Sequence, residues 1–223
     1  MSQQLTFDLP VRAAQGRGDF FVSPSNAAAV QLIDGDWPGG RLVLIGPKGS
    51  GKTHLALVWA GDHAGRIVDA SDLAGGLTVL LEHAPSAVVV ENIDAVAGNA
   101  DAEEALFHLL NAQSGQGGNV LMTCAVEPAK AGFSLPDLVS RLSGAASAVL
   151  DLPDDDLLAA LFVKLFSDRQ LTVTPDLITY LLARCERSFA SIHSIVDQLD
   201  ALSLAERKPV TRHMAARVLD KSA

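Results

Sequence analysis

Cysteine is scarce in this chain. Only Cys124 and Cys185 are present, far apart and without C-x-x-C spacing. That excludes a disulfide scaffold and a thiolate zinc site, and it suits a reducing compartment. Basic residues are also few: 17 Lys and Arg stand against 26 Asp and Glu, a net charge of −9, with no Lys/Arg run. That charge argues against wrapping nucleic acid across the whole surface and leaves only a local basic patch open. No stretch approaches the roughly 18 consecutive apolar residues of a membrane span. The start, MSQQLTFDLP, lacks the basic segment and apolar run of a secretory signal. The histidines have no H-E-x-x-H spacing, and the 154–156 aspartate run lacks the alternating oxygen ligands of a calcium loop. What is present is a 223-residue chain, 48% hydrophobic and 19% charged. That is a globular composition, long enough for a full-sized core plus a small second module. A soluble intracellular α/β protein is expected.

Apolar runs of strand length fall at residues 41–46, 66–70, 87–91, 119–125 and 148–152. They are continuous rather than alternating, the mark of parallel strands covered on both faces. Helical patterns separate them at 25–34, 51–60, 71–83, 102–113 and 135–142. This alternation predicts a five-stranded parallel sheet flanked by helices with right-handed crossovers. After Leu152 the strands stop. Pro153 and the 154–156 aspartates open a helix, with carboxylates suited to its N-terminal dipole. Thr174-Pro175 reads as the N-cap and first residue of a second helix. A third runs from about Ser188 to Arg207, and Thr211 caps a fourth that ends near Asp220. The expected division is an extended tail (1–15), an α/β nucleotide-binding domain (16–152) and a small all-helical lid (153–223).

The strongest local pattern is Gly46-Pro47-Lys48-Gly49-Ser50-Gly51-Lys52-Thr53, which satisfies G-x-x-x-x-G-K-[ST]. It lies between a predicted buried strand and a predicted helix, the context such a loop requires. Its glycines let successive N–H groups curl around a phosphate, and the helix N-terminus adds partial positive charge. Lys52 is expected at the β- and γ-phosphates, and the Thr53 hydroxyl at Mg²⁺. His54 follows directly, where packing is the plainer role. In the run Val88-Val89-Val90-Glu91-Asn92-Ile93-Asp94, Glu91 stands where a P-loop protein places its second metal-site carboxylate. Asn92 occupies the next position, where an acid would activate water. An amide is too weak a base for that, so weak intrinsic hydrolysis is expected. Asp94 either substitutes for the missing acid or is a solvated turn residue, the second being favoured. Thr123 either contacts a phosphate or water, or is a β-branched strand residue. Arg141 either points outward as an arginine finger or stabilises a helix C-terminus. In the tail, Leu5, Phe7 and Leu9 alternate along an extended segment with Gln4 beside them. They would insert into a partner's groove or pair with the chain's own sheet.

These residues together resemble the DnaA/Hda branch of the AAA+ P-loop ATPase superfamily, along the whole chain. The segment 19–26 (DFFVSPSN) is similar to the family's entry motif, which implies that Phe20, Phe21 and Val22 lie beside an adenine. GPKGSGKTHL matches the branch closely and adds His54 to the nucleotide site. ENIDAVAGN is similar to the Hda form of the metal strand, including its Asn. LPDLVSRL at 135–142 resembles the arginine-finger box, which implies that Arg141 acts in trans, and Thr123 falls at the first sensor position. Asp197-Gln198-Leu199-Asp200 recurs in the lid. The tail resembles the motif that docks Hda on the sliding clamp, which implies clamp contacts by Gln4, Leu5, Phe7 and Leu9. Two residues depart from the pattern. Glu91 replaces the usual Asp. Alignment of the lid puts Ala190 at the second-sensor arginine, with Arg187 one turn away, about 5.4 Å.

The resemblance implies a regulatory AAA+ adaptor that binds ADP or ATP with Mg²⁺. Its implied partners are DnaA, whose ATP hydrolysis it would stimulate to limit chromosomal replication initiation, and the DNA polymerase III sliding clamp (beta subunit). A cytoplasmic, replisome-associated place follows. Neither membrane contact nor direct sequence-specific DNA binding is expected, because the chain ends where the lid is complete and leaves no room for a helix-turn-helix domain. A homo-oligomer stays open. The rival readings are an autonomous ATPase of helicase-loader type and a DnaA-like filament on single-stranded DNA.

Overall fold

The computed structural model describes residues 22–82 and 86–222. Five parallel strands, β1 (Arg41–Ile45), β2 (Arg66–Asp69), β3 (Ala87–Glu91), β4 (Asn119–Cys124) and β5 (Ala146–Val149), form one sheet in the order β2-β3-β4-β1-β5. Helices α1 (Ala27–Ile33), α2 (Lys52–Asp62), α3 (Leu73–Glu82), α4 (Ala100–Gln116) and α5 (Pro136–Ser143) connect and cover them. The continuous apolar runs have a direct cause. Val43, Ile45, Val88, Val90, Val120 and Met122 face one core, shared with leucines of α3, α4 and α5. Leu42, Leu44, Val89 and Leu121 face another, shared with α1 and α2. A strand buried on both faces has no side on which polar residues can alternate.

Two expectations need correction. The last strand lies at Ala146–Val149 rather than 148–152. Register decides it: Leu42 pairs with Ala146 and Ile45 with Val149, so β5 ends where β1 ends. Leu150 is buried beyond that ladder, held by its N–H to the Ile45 carbonyl at 2.7 Å. Burial on both faces also fails at the edges. β2 and β5 flank only one neighbour each, and their residues are largely exposed or half-buried.

After β5 the chain is helical: α6 (Asp155–Asp168), α7 (Pro175–Leu182), α8 (Phe189–Glu206) and α9 (Arg212–Ser222) pack around a core of their own built on Phe162, Phe166, Leu181, Ile192 and Leu199. Asp154 caps α6 by accepting the Leu157 N–H at 2.8 Å, and Thr211 accepts the Met214 N–H at 3.3 Å. Pro175 begins α7, but the Thr174 side chain makes no capping bond. Among the described residues no helix is long and apolar enough to cross a membrane.

Candidate nucleotide site

The phosphate loop leaves β1 at its carboxyl edge and enters α2 through Gly51, the N-cap, at φ 94°. Gly49 is also left-handed, at φ 87°. Both glycines are needed for space as well. A Cβ on Gly49 would stand 2.8 Å from Ser188 Cβ, and one on Gly51 would stand 2.8 Å from Phe189 Cε2. The start of α8 therefore presses directly on the loop, bringing the lid to the site. Lys52 Nζ donates to the Gly46 and Pro47 carbonyls at 2.6 and 3.0 Å. Burial lowers the Lys52 pKa, and the nearby Asp94 and Glu91 carboxylates oppose that shift.

Where the sequence predicts a metal site, Thr53 Oγ1 donates to Glu91 Oε2 at 2.5 Å. The other oxygen, Glu91 Oε1, is buried without a hydrogen-bond partner. A hydroxyl beside a carboxylate with a free buried oxygen is a hard-donor pair that fits Mg²⁺, so the longer Glu side chain still reaches the hydroxyl. Among the described residues no group of three or more His, Cys, Asp and Glu could hold a metal by itself. An ion here would complete its shell with phosphate and water oxygens.

The position after Glu91 is built with care. Asn92 adopts a left-handed backbone at φ 58°. Its N–H donates to Thr123 Oγ1 at 2.9 Å, and its Nδ2 donates to Asp69 Oδ2 at 2.7 Å. Asp69 is the partner of Glu91 in the β2–β3 register. Burial alone would raise the Asp69 carboxyl, but the bonds from Ser71 and Asn92 outweigh it and hold the pKa below its ordinary value. Asp94 is half-exposed in the short turn after β3; its Oδ1 accepts the Ala125 N–H at 3.0 Å, and it lines the cavity.

That cavity has a volume of about 520 Å³. Of the expected nucleotide residues, Lys48, Gly49, Gly51, Lys52, Thr53 and His54 line it. Pro47 and Ser50 shape the loop without lining the cavity, and Ser50 is buried. Thr123 is 1% exposed and reaches the site only through the Asn92 backbone. Val22 is 60% exposed and lines a separate 270 Å³ cavity with Val30 and Trp59. Phe20 and Phe21 lie outside the described residues, as do Gln4, Leu5, Phe7 and Leu9.

The lid contributes Phe189, Ala190 and His193 to the cavity wall. Ala190 thus occupies the face expected of a second sensor. Arg187 does not reach in; it pairs with Asp155 at 2.8 Å. His193 has its pKa lowered by burial, with Asp197 opposing and Arg169 assisting. Phe189 stacks on His54 with ring centroids 6.0 Å apart. Asp69, Phe189 and His193 were not singled out from the sequence. The one signal that would have raised them is position: Asp69 ends a strand, and the other two open the helix that Ser188 caps.

Arg141 lies apart from this cavity, in the last turn of α5, with its guanidinium carbon 5.1 Å from the centroid of the Phe107 ring on α4. Chemically, the cavity can hold a nucleoside phosphate and a divalent ion. It lacks a carboxylate at the position next to Glu91.

Solved structures share this fold. Domain III of the Thermotoga maritima replication initiator DnaA superposes with a TM-score of 0.79 at 17% identity, over 96% of this chain and 98% of that one. AMPPCP-bound DnaA from Aquifex aeolicus gives 0.68 at 18% identity, over 84% and 67%. The Thermotoga maritima branch-migration motor RuvB gives 0.65 at 14% identity, over 81% and 61%. The fold is that of the AAA+ P-loop proteins: a five-stranded parallel sheet with a helical lid. Residues 154–219 match the family model of the Hda lid domain. That match covers the helical lid, and the α/β core shares the fold of DnaA domain III.

Proposed function

We propose that this protein is a regulatory adaptor of replication initiation that stimulates ATP hydrolysis by DnaA while tethered to the sliding clamp. The observation that carries the reading is a division of labour. The chain's own cavity has the amide of Asn92, locked on Asp69, where a base would be needed. Arg141 stands outside that cavity, held on Phe107. Bound ADP or ATP with Mg²⁺ then orders core against lid, gripped by residues 47–54 and Glu91, with Phe20 and Phe21 at the adenine. Thr123 acts by fixing the turn at Asn92. Arg141 approaches the nucleotide of DnaA and stabilises charge developing there, an effect worth about 10³–10⁵-fold for a finger supplied in trans to a GTPase. Gln4, Leu5, Phe7 and Leu9 dock on the clamp and raise the local concentration of the pair. The protein works in the cytoplasm, and its units are the tail 1–15, the α/β domain 16–152 and the lid 153–223.

The test is γ-phosphate release from ATP-loaded DnaA, with clamp on DNA and this protein added. Hydrolysis rises with the wild type and falls back with Arg141→Ala and with a Gln4→Ala/Leu5→Ala variant. An unchanged rate, or equal stimulation by both variants, overturns the reading. It would favour an autonomous ATPase, with Asp94 as the residue to change next.

A further inference from the structure

The most deeply buried carboxylate among the described residues has no cationic partner. Glu103, on α4, is 0% exposed. Its oxygens collect backbone N–H groups from two loops: Oε1 accepts from Gly98 at 2.6 Å and from Ser134 at 2.9 Å, while Oε2 accepts from Ser134 at 2.9 Å and from Leu135 at 2.7 Å. Burial alone would raise this carboxyl, but the donated N–H groups of Ser134, Gly98 and Leu135 outweigh it and hold it below the ordinary value. The side chain is therefore ionised at neutral pH, and its charge is met by amide dipoles alone.

Those amides have a common use. Leu135 is the N-cap of α5, and a leucine cannot cap: its side chain makes no such bond. Pro136 follows at the first helical position without an N–H. The entry of α5 has no capping side chain of its own, although Phe133 and Leu135 pack on the core there, and Glu103 supplies the capping bonds from a neighbouring helix. Arg141 is in the last turn of that same short helix. Residues four apart share a helix face, so Phe107 lies one turn beyond Glu103 on the side facing α5. Its ring supports the Arg141 guanidinium. Leu138 and Leu142, both buried, fix the rotation of α5 about its axis. One face of α4 thus holds both the entry of α5 and the charged group near its end. An eight-residue helix is about 12 Å long, so a small tilt at its entry moves the far end appreciably.

We propose that Glu103 is a positioning residue for Arg141: by gathering the N–H groups at the entry of α5 it sets the angle at which the guanidinium is presented to a partner's nucleotide. This rests on the action of Arg141 proposed above. It adds to that reading the group that orients the finger.

The experiment uses the full-length protein as wild type, Glu103→Gln, Glu103→Asp, Arg141→Ala and Glu103→Gln/Arg141→Ala. Glutamine keeps the volume but has one acceptor oxygen for these donors, and aspartate keeps both oxygens one methylene short. Three quantities are read: affinity for ADP, amide hydrogen exchange across residues 134–141, and the hydrolysis rate of clamp-tethered, ATP-loaded DnaA against protein concentration. Glu103→Gln should bind ADP within about twofold of wild type and exchange faster across 134–141. Its maximal stimulated rate should fall about 10- to 100-fold, with the half-saturating concentration unchanged, because misplacement of a transition-state group acts on the rate. Glu103→Asp should recover part of that loss. The double variant should be no slower than Arg141→Ala alone. A Glu103→Gln rate equal to wild type overturns the proposal. So does a fall matched by lost ADP affinity, or a double variant slower than Arg141→Ala, since each marks a general structural role. If Arg141→Ala stimulates as well as wild type, the finger reading itself falls and takes this one with it. If Arg141→Ala fails while Glu103→Gln does not, only the role of Glu103 is lost.

Discussion

Glu91 holds one oxygen on Thr53 and keeps the other buried and unpaired. An orphaned carboxylate oxygen in a buried site is costly unless something hard and positive meets it. The expected consequence concerns metal dependence. Glu91→Gln removes the charge while keeping the shape, so nucleotide affinity should lose most of its difference between Mg²⁺ and excess chelator. Titration calorimetry with ADP under both conditions reads this, and an unchanged difference would remove Glu91 from the metal site. At this scale the phosphate loop was legible because its residues are contiguous and each role follows from spacing. The bond that Asp94 makes was not legible, because its partner, the Ala125 N–H, comes from the end of another strand. The lock of Asp69 on Asn92 was invisible for the same reason: only the β2–β3 register sets Asp69 beside Glu91.

The cap of α6 was legible in the sequence, and the end of the last strand was not. Asp154 caps α6 as its position before an apolar helical run suggested, and it also accepts the Ser25 N–H at 3.4 Å from the other side of the chain. Burial alone would raise its carboxyl; the bonds from Leu157, Ser23 and Ser25 lower it below the ordinary 3.8. The sign follows. A folded-state pKa below the unfolded one contributes stability above the unfolded pKa, and that contribution is lost as pH falls through the folded one. Asp154→Ala should cost about 1 kcal/mol near neutral pH. The gap from wild type should close as the solution is acidified below the ordinary aspartate pKa. Urea denaturation at several pH values would show it, and a gap that persists in acid would point to packing instead. The shift of β5 toward 146–149 has a different origin. Its ladder partner β1 ends at Ile45, so pairing stops at Val149 although the apolar run continues through Leu150 to Leu152. Hydrophobicity marks what is buried, and Leu150 is buried. It does not mark where a ladder stops.

For the molecule as a whole, the consequential contact joins lid and phosphate loop. Ser188 and Phe189 leave no room for a side chain on Gly49 or Gly51, and Phe189 stacks on His54. Nucleotide and lid should therefore stabilise one another. A ligand that binds only the folded state at about 100 times its Kd adds about 2.7 kcal/mol. Wild type should show a rise in Tm at such ADP concentrations. At the same ADP concentration Phe189→Ala should show a clearly smaller rise, because part of the wall of the site has been removed. Differential scanning calorimetry with and without ADP would test this. An equal rise in both proteins would mean that the lid packs on the loop without contributing to binding.

The sequence by itself determined the sheet, the phosphate loop and the run of helices after Leu152. Each depends on residues near one another in the chain: apolar runs buried on two faces, glycines at a tight turn, caps before helical periods. Tertiary structure alone decided that Ala190 and His193 face the cavity while Arg187 is spent on Asp155, that Asn92 is tied to Asp69, and that Glu103 pins the entry of α5. Those pairings join residues distant in sequence, and no local pattern encodes them. Hydrogen bonds are short-ranged and directional, so they form only after strand register and helix packing have brought the partners together.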